Sequence, residues 1–359
     1  MKIRLRPFIK LLVLAAAMVA LIVGCSGTAT PERIPAAQPA STRSADNTLT
    51  VYSRDRDVAE PLFKQFEQTT GIRIRARWGD PIKLAEQVIA DGDNTPADVF
   101  YEPVSDALGA LSAAGRLARL SDAQLSRVPE AYRSPDGTWV GTIGRAHVVF
   151  YNTDQLRQDD LPDSILGFAD PAWRGRIGWD PTSRSVQDVV TAVRLLKGED
   201  EARRWLVGMQ ANAPVAFAGA DPIVKAVAAG QLVQVGFGSH YYLYNLQADG
   251  DATNVAAKFY VGDPGGLLNV AGVGIIKGTD KEAEANAFVD FMLSRTAQEA
   301  YARDAFEIPV ALDVAPPNGM PTALELIVPG LDVRQFDRLD GARQLLTEVG
   351  ILVGPGQNP

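Results

Sequence analysis

Residues 240–244 read His240-Tyr241-Tyr242-Leu243-Tyr244, and the adjacent tyrosines are the part of the chain with the clearest chemical capacity. A phenolate oxygen is a hard, anionic donor. A bound cation favours the deprotonated form, drawing a phenol down from its ordinary value near 10, so Tyr241 and Tyr242 together would suit a hard trivalent ion. The plainer reading of such a pair is an aromatic packing cluster. Geometry separates the two, because consecutive residues point about 100° apart on a helix and face one ligand only at its first turn. Other chemistries lack their signatures. There is no His-Glu-x-x-His, no Gly-x-Ser-x-Gly and no phosphate loop of the Gly-x-x-x-x-Gly-Lys-Ser/Thr type. The chain has only two histidines, His147 and His240, so it cannot build a His-rich zinc site alone. Gly272-Val273-Gly274-Ile275-Ile276-Lys277-Gly278 carries Lys277 where a dinucleotide loop needs glycine and reads as close packing or a hinge.

The tyrosines need elements to position them. They follow a strand expected over Leu232–Phe237 and the turn residues Gly238 and Ser239, and ligands of open α/β sheets collect at such strand ends. Upstream, Leu49–Tyr52 reads as a strand. Val58, Leu62, Phe63 and Phe66 recur at helical spacing up to Gly71, and residues 72–78 alternate apolar with Arg73, Arg75 and Arg77. The three arginines form a cationic face best explained as a solvated strand surface. A second helix through Leu84–Ile89, a buried strand at Ala97–Tyr101 and a helix over Leu108–Ala114 closed by Gly115 continue the pattern. Val148–Tyr151 is strand-like and Val186–Leu196 helical. Alternating β and α predicts mostly parallel, helix-covered sheets, and 359 residues exceed what one core usually supports.

Apolar residues make up 46% and charged residues 22%, an ordinary globular composition. The first residues depart from it. Lys2, Arg4, Arg6 and Lys10 precede the apolar stretch Leu11–Val23, as in a secretory signal peptide. It ends in Leu21-Ile22-Val23-Gly24-Cys25, which resembles the lipobox of bacterial lipoproteins, and Cys25 is the only cysteine. Lipidation at Cys25 and anchoring of an extracytoplasmic protein to the cell membrane, in the periplasm or at the cell surface, are therefore expected. Residues 25–47 are rich in Ser, Thr, Ala and Pro and read as a tether. Loss of residues 1–24, with four basic and no acidic groups, takes the formal charge from −8 to −12. So acidic a body is unsuited to nucleic acid.

Several segments resemble the ferric-iron-binding branch of the bacterial extracellular solute-binding proteins of ABC importers: Leu49–Ser53, Thr95–Tyr101, Gly144–Thr153, Arg176–Ser183, His240–Tyr242 and Gly262–Gly266. They are collinear with the family pattern over residues 48–320. The resemblance implies an α/β fold of the periplasmic binding protein-like II type, with two lobes joined by hinge strands and the ligand in the interlobe cleft. Lobe one is expected at 48–145 and 268–322, lobe two at 146–267 and 323–359. It implies a monomeric, non-enzymatic carrier of Fe3+ with carbonate or phosphate as synergistic anion, working with permease and ATPase subunits. Tyr241 and Tyr242 become metal ligands. Arg145 and Ser183 become anion-binding residues, Ser53 and Glu102 are further candidates for the ligand, and Arg184, next to Ser183, has a guanidinium able to hold carbonate or phosphate bidentately. Three positions depart from the pattern: Arg56 and Pro103 stand where the best-known members carry a His and a Glu ligand, and Ala220 where they carry an anion-contacting Asn. A binding protein for a small organic anion such as a phosphonate, using Arg56, Arg145, Ser183 and Arg184 with the tyrosines as walls, is the alternative.

Overall fold

The strand-and-helix alternation over residues 49–114 is realised in the computed structural model, which describes residues 47–54, 56–102, 105–331 and 340–352. Cys25, the apolar leader and nearly all of the tether lie outside the described residues. The first sheet begins with β1 (Thr48–Ser53), α1 (Arg56–Thr70), β2 (Arg73–Trp78), α2 (Pro81–Asp91), β3 (Val99–Glu102), α3 (Ser105–Ala113) and a short α4 (Asp122–Leu125). β1 pairs in parallel with β2 and with β3. In α1 the buried residues include Leu62, Phe63 and Phe66, the stripe that helical periodicity demands. β2 is the sheet edge, and its three arginines are exposed, as a solvated face requires.

β4 (Trp139–Asn152) carries the chain out of this sheet. Beyond it come β5 (Ile177–Trp179), α5 (Arg184–Lys197), α6 (Glu199–Ala211), β6 (Val215–Ala216), α7 (Ala220–Ala229), β7 (Val235–Ser239), α8 (Tyr241–Ala248) and β8 (Val255–Lys258). The chain returns through β9 (Leu268–Ile275), followed by α9 (Glu282–Met292), α10 (Arg295–Asp304), β10 (Ile308–Pro309) and α11 (Asp340–Glu348). The front of β4, Trp139–Ala146, pairs with β9, while its rear, His147–Asn152, pairs with β7 and β8. β4 is thus far longer than the expected Val148–Tyr151, because its apolar residues are buried on both sheets' sides. β7 starts at Val235, later than expected, since Leu232 is exposed. Gly238 and Ser239, read as a turn, belong to the strand, where they pair with Val148 and His147.

Helices cover both faces of each sheet, which gives the two-lobed α/β fold. One core joins α1, α9 and α10 to the first sheet, and another packs α2 and α3 on its opposite face. In the second sheet α5, α6 and α11 close one face, and α7 and α8 the other. Ala146 and Leu268 belong to the first core, Val148 and Val149 to the second sheet's cores. Ala323 and Leu326 pack into the first core, with Ile327 against it. The glycine-rich segment is a close approach: a Cβ on Gly272 would lie 2.7 Å from Leu108 Cδ1 and 3.1 Å from the Val140 carbonyl.

Candidate functional site

Where β4 passes between the sheets, a cavity of about 450 Å³ is lined from β4, β7, β9, the first turns of α5, α7 and α8, and Arg54 just after β1. Tyr241 and Tyr242 are the first two residues of α8. Their rings stack with centroids 4.2 Å apart and planes 30° apart, so the helical divergence of neighbours is overcome at the first turn, and both line the cavity. Burial pushes the Tyr241 phenol well above its usual range; the positive charge of Arg145 opposes this, while Tyr242 and Glu307 add to it. The Arg145 guanidinium carbon stands 5.7 Å from the Tyr241 ring centroid, within cation–π reach.

His240 fixes where α8 begins. It is fully buried, its Nδ1 accepts from the Ala146 N–H at 3.0 Å, and its Nε2 lies 2.7 Å from the Phe306 carbonyl. A carbonyl only accepts, so Nε2 carries the proton. The backbone N–H of His240 also donates to the Ala146 carbonyl at 3.0 Å. Burial holds the imidazole neutral, its pKa lowered to about 4. The strand carrying Arg145 and the helix carrying the tyrosines are therefore tied by one side chain. Phe306 has φ 54°, a left-handed conformation that strains a bulky residue. Its ring stacks on Tyr244, and the next residue, Glu307, accepts from Arg145 Nε at 2.7 Å while only 2% exposed.

The opposite wall is the start of α5. Ser183 caps the helix: its Oγ accepts from Val186 N–H at 3.3 Å and its hydroxyl donates to the Asp180 carbonyl at 2.7 Å. A 14-residue helix presents partial positive charge at this end. Arg184 donates from Nε to Asp188 Oδ1 at 2.9 Å, and Asn269 donates to Asp188 Oδ2 at 2.7 Å. Asn269 lies directly opposite Arg145 across β4 and β9, so α5 is bonded to the returning strand beside the site. Asp180 Oδ2 accepts from the Gly219 N–H at 3.0 Å, and Gly219 has φ 102°, a conformation that favours glycine. The formal charges of this wall nearly cancel: Arg54, Arg145 and Arg184 stand against Asp180, Asp188 and, behind Arg145, Glu307.

Of the residues singled out from sequence, Arg145, Ser183, Arg184, Tyr241 and Tyr242 meet in this cavity, and so does Ala220. Ser53 does not line it: it is fully buried at the end of β1, with Oγ lacking a partner among the described residues. Glu102 ends β3, opposite Gly272. Arg56 is exposed on α1 and pairs with Glu60 at 3.0 Å; Pro103 lies outside the described residues. Sequence reasoning missed Arg54, His147, Asp180, Asp188 and Asn269 as lining residues. Asp188, four residues after Arg184 on a helix, was available as an ion-pair signal. A larger hollow of about 510 Å³ between residues 119–137 and Leu331 holds none of the expected residues, and Arg119 there is paired with Asp122 at 2.7 Å. No group of three or more His, Cys, Asp or Glu residues suited to a metal ion occurs among the described residues, and none of their helices is long and apolar enough to cross a membrane.

Residues 94–333 match the family of bacterial extracellular solute-binding proteins. The chain is 31% identical over 318 residues to the Fe(3+)-binding periplasmic protein of Serratia marcescens, covering 87% of this chain and 93% of that one. Iron uptake protein A2 of Synechocystis is 30% identical over 339 residues, covering 90% and 96%. Among solved structures, iron-bound HitA of Pseudomonas aeruginosa superposes with a TM-score of 0.73 at 32% identity, over 84% of this chain and 99% of that one.

Proposed function

This chain belongs to the bacterial extracellular solute-binding proteins, and from that membership we propose that it captures ferric iron with an oxyanion outside the cytoplasm and delivers it to the permease and ATPase of an ABC importer. The observation that carries the reading is the stacked Tyr241–Tyr242 pair facing the cavity beside Arg145. Burial opposes ionisation of Tyr241, and a trivalent ion reverses that balance by stabilising the phenolate. Two phenolates and Fe3+ leave one positive charge, and an oxyanion such as carbonate or hydrogen phosphate takes the assembly to a single negative charge, which Ser183, Arg184 and the N-terminus of α5 would hold. Glu102, at the end of β3, belongs to the lobe-one side of the same proposal, and Ser53, buried away from the lining, does not.

The near-balanced lining favours this over a free organic anion. The guanidiniums of Arg145 and Arg184 each bond a buried carboxylate, so a phosphonate dianion would lose its hydration without a net positive wall to replace it. A metal–anion assembly of low net charge has no such deficit.

The reading includes no catalysis. It makes the protein a monomer with one lobe at about residues 48–145 and 268–322 and the other at about 146–267 and 323–359, closing on the cargo by bending where β4 passes between sheets; the existence of separate cores supports two lobes. It includes lipidation at Cys25 as the membrane anchor. The visible spectrum after loading with ferric citrate tests the central point, because tyrosinate-to-iron charge transfer is coloured. Colour in the wild type and its loss or shift in Tyr241→Phe and Tyr242→Phe is expected. A colourless, folded wild type rejects the iron reading.

A further inference from the structure

One buried polar atom of the cavity wall has no hydrogen-bond partner among the described residues. His147 stands two residues after Arg145 on β4, so both project from one face of the strand, and it lines the cavity while only 4% exposed. Its Nδ1 lies 3.0 Å from the Gly265 carbonyl. Since that oxygen can only accept, Nδ1 holds the proton and Nε2 is left as a lone pair. Nε2 is buried with no hydrogen-bond partner among the described residues, which is costly for a buried acceptor. Protonation offers no escape, because burial holds the ring neutral with its pKa lowered to about 4. His240 provides the contrast: it is as deeply buried, yet both of its ring nitrogens are bonded.

Other donors of the cavity lining have partners of their own. Arg145 Nε bonds Glu307, Arg184 Nε bonds Asp188, and the Asn269 amide bonds Asp188. A donor brought by the ligand would satisfy Nε2. Resting on the reading of this cleft as an iron-and-anion site, we infer that His147 selects an oxyanion that keeps an O–H group, taking that hydrogen at Nε2 while the anionic oxygens face Arg145 and the start of α5. Hydrogen phosphate, bicarbonate and hydroxycarboxylates belong to this class; sulfate and oxalate do not.

Hydrogen phosphate and sulfate share charge and shape but differ in this one donor, so their affinities, measured by calorimetry on iron-free and iron-loaded protein, read the inference directly. The wild type should bind hydrogen phosphate at least about tenfold tighter, as loss of one hydrogen bond to a buried acceptor implies. His147→Asn places an amide near the Nδ1 position, able to keep the bond to Gly265, and removes the Nε2 acceptor. It should bring the ratio close to one, chiefly by weakening phosphate. His147→Gln restores an acceptor near Nε2 and should recover part of the preference, which also serves should the Asn variant fail to fold. A wild-type ratio near one, or a ratio unchanged in both variants, overturns the inference. Colour that shifts in both variants identically with every anion marks His147 as a direct metal ligand and overturns it as well. Absence of colour with a preserved ratio on the iron-free protein retires the iron reading and leaves the selection by His147 standing.

Discussion

If Tyr241 binds iron as a phenolate, its replacement must change how affinity depends on pH, and the size of that change follows from burial. In the ligand-free protein the phenol is held protonated, its pKa raised well above the usual value of 10 by burial. Coordination at any pH between 5 and 8 therefore releases one whole proton from this residue. Linkage makes the slope of log affinity against pH equal to the number of protons released. Tyr241 thus contributes about one per pH unit, or a factor of about a thousand between pH 5 and 8. Tyr241→Phe should weaken iron binding at every pH, and the loss should be about a thousandfold greater at pH 8 than at pH 5. Competition against one chelator, run on both proteins at each pH, supplies the assay, because chelator and anion protonation cancel in the ratio of affinities. A wild-type to variant ratio that stays constant across the range would mean that Tyr241 is a neutral wall, and would refute phenolate ligation by it.

The remaining expectations concern stability, anchoring and motion. Glu307→Gln leaves Arg145, whose side chain is 21% exposed, without its buried counter-charge; ligand-free stability in urea should fall by about 3 kcal/mol, and the double variant with Arg145→Gln should lose less than the sum, whereas a change under about 0.5 kcal/mol would rank the pair with surface ion pairs. His147 and His240 have folded-state pKa values lowered from 6.5 to about 4, so the unfolded chain takes up protons first: their contribution is complete above pH 6.5 and is lost as pH falls toward 4, by about 3 kcal/mol for each. Ligand-free unfolding free energies that stay flat from pH 7 to 5 would contradict this burial. Cys25→Ala should leave the membrane fraction yet keep its melting temperature and ligand affinity, and its persistence in membranes would exclude the lipid anchor. Saturating ferric citrate should reduce the radius of gyration in solution scattering; an unchanged radius counts against lobe closure.

How much of this was readable from sequence depended on sequence distance. Helical and strand periodicity located β1, α1, β2 and α2 because their signals are local: Leu62, Phe63 and Phe66 in α1 and the alternation of Arg73, Arg75 and Arg77 in β2 each lie within two turns or one strand. β4 was cut short for the opposite reason. Its front half, with Gly141 and Gly144, breaks the apolar run, and only pairing with β9, more than a hundred residues away, makes it a strand. The tandem tyrosines were legible as chemistry, since the requirement that both face one ligand at a first turn could be stated beforehand; in the structure the two rings stack at the start of α8 and line one cavity.

The residues that make the site work as a unit were not legible, and the contacts explain why. Glu307 sits 162 residues from Arg145, and the Phe306 carbonyl 66 from the His240 ring that it anchors. Nothing in the neighbourhood of Glu307 in sequence distinguishes it from an exposed carboxylate. Its role exists only because the left-handed turn at Phe306 directs the chain back across the strand bearing Arg145. The same holds for His147, whose sequence setting Arg145-Ala146-His147 gives no sign of which ring nitrogen is used. That assignment comes from the Gly265 carbonyl, 118 residues further on. Residue types announce which chemistry a chain can perform. Long-range partners decide charge balance, tautomer and orientation, and in this cavity they set the arginines against buried carboxylates so that the formal charges of the wall balance.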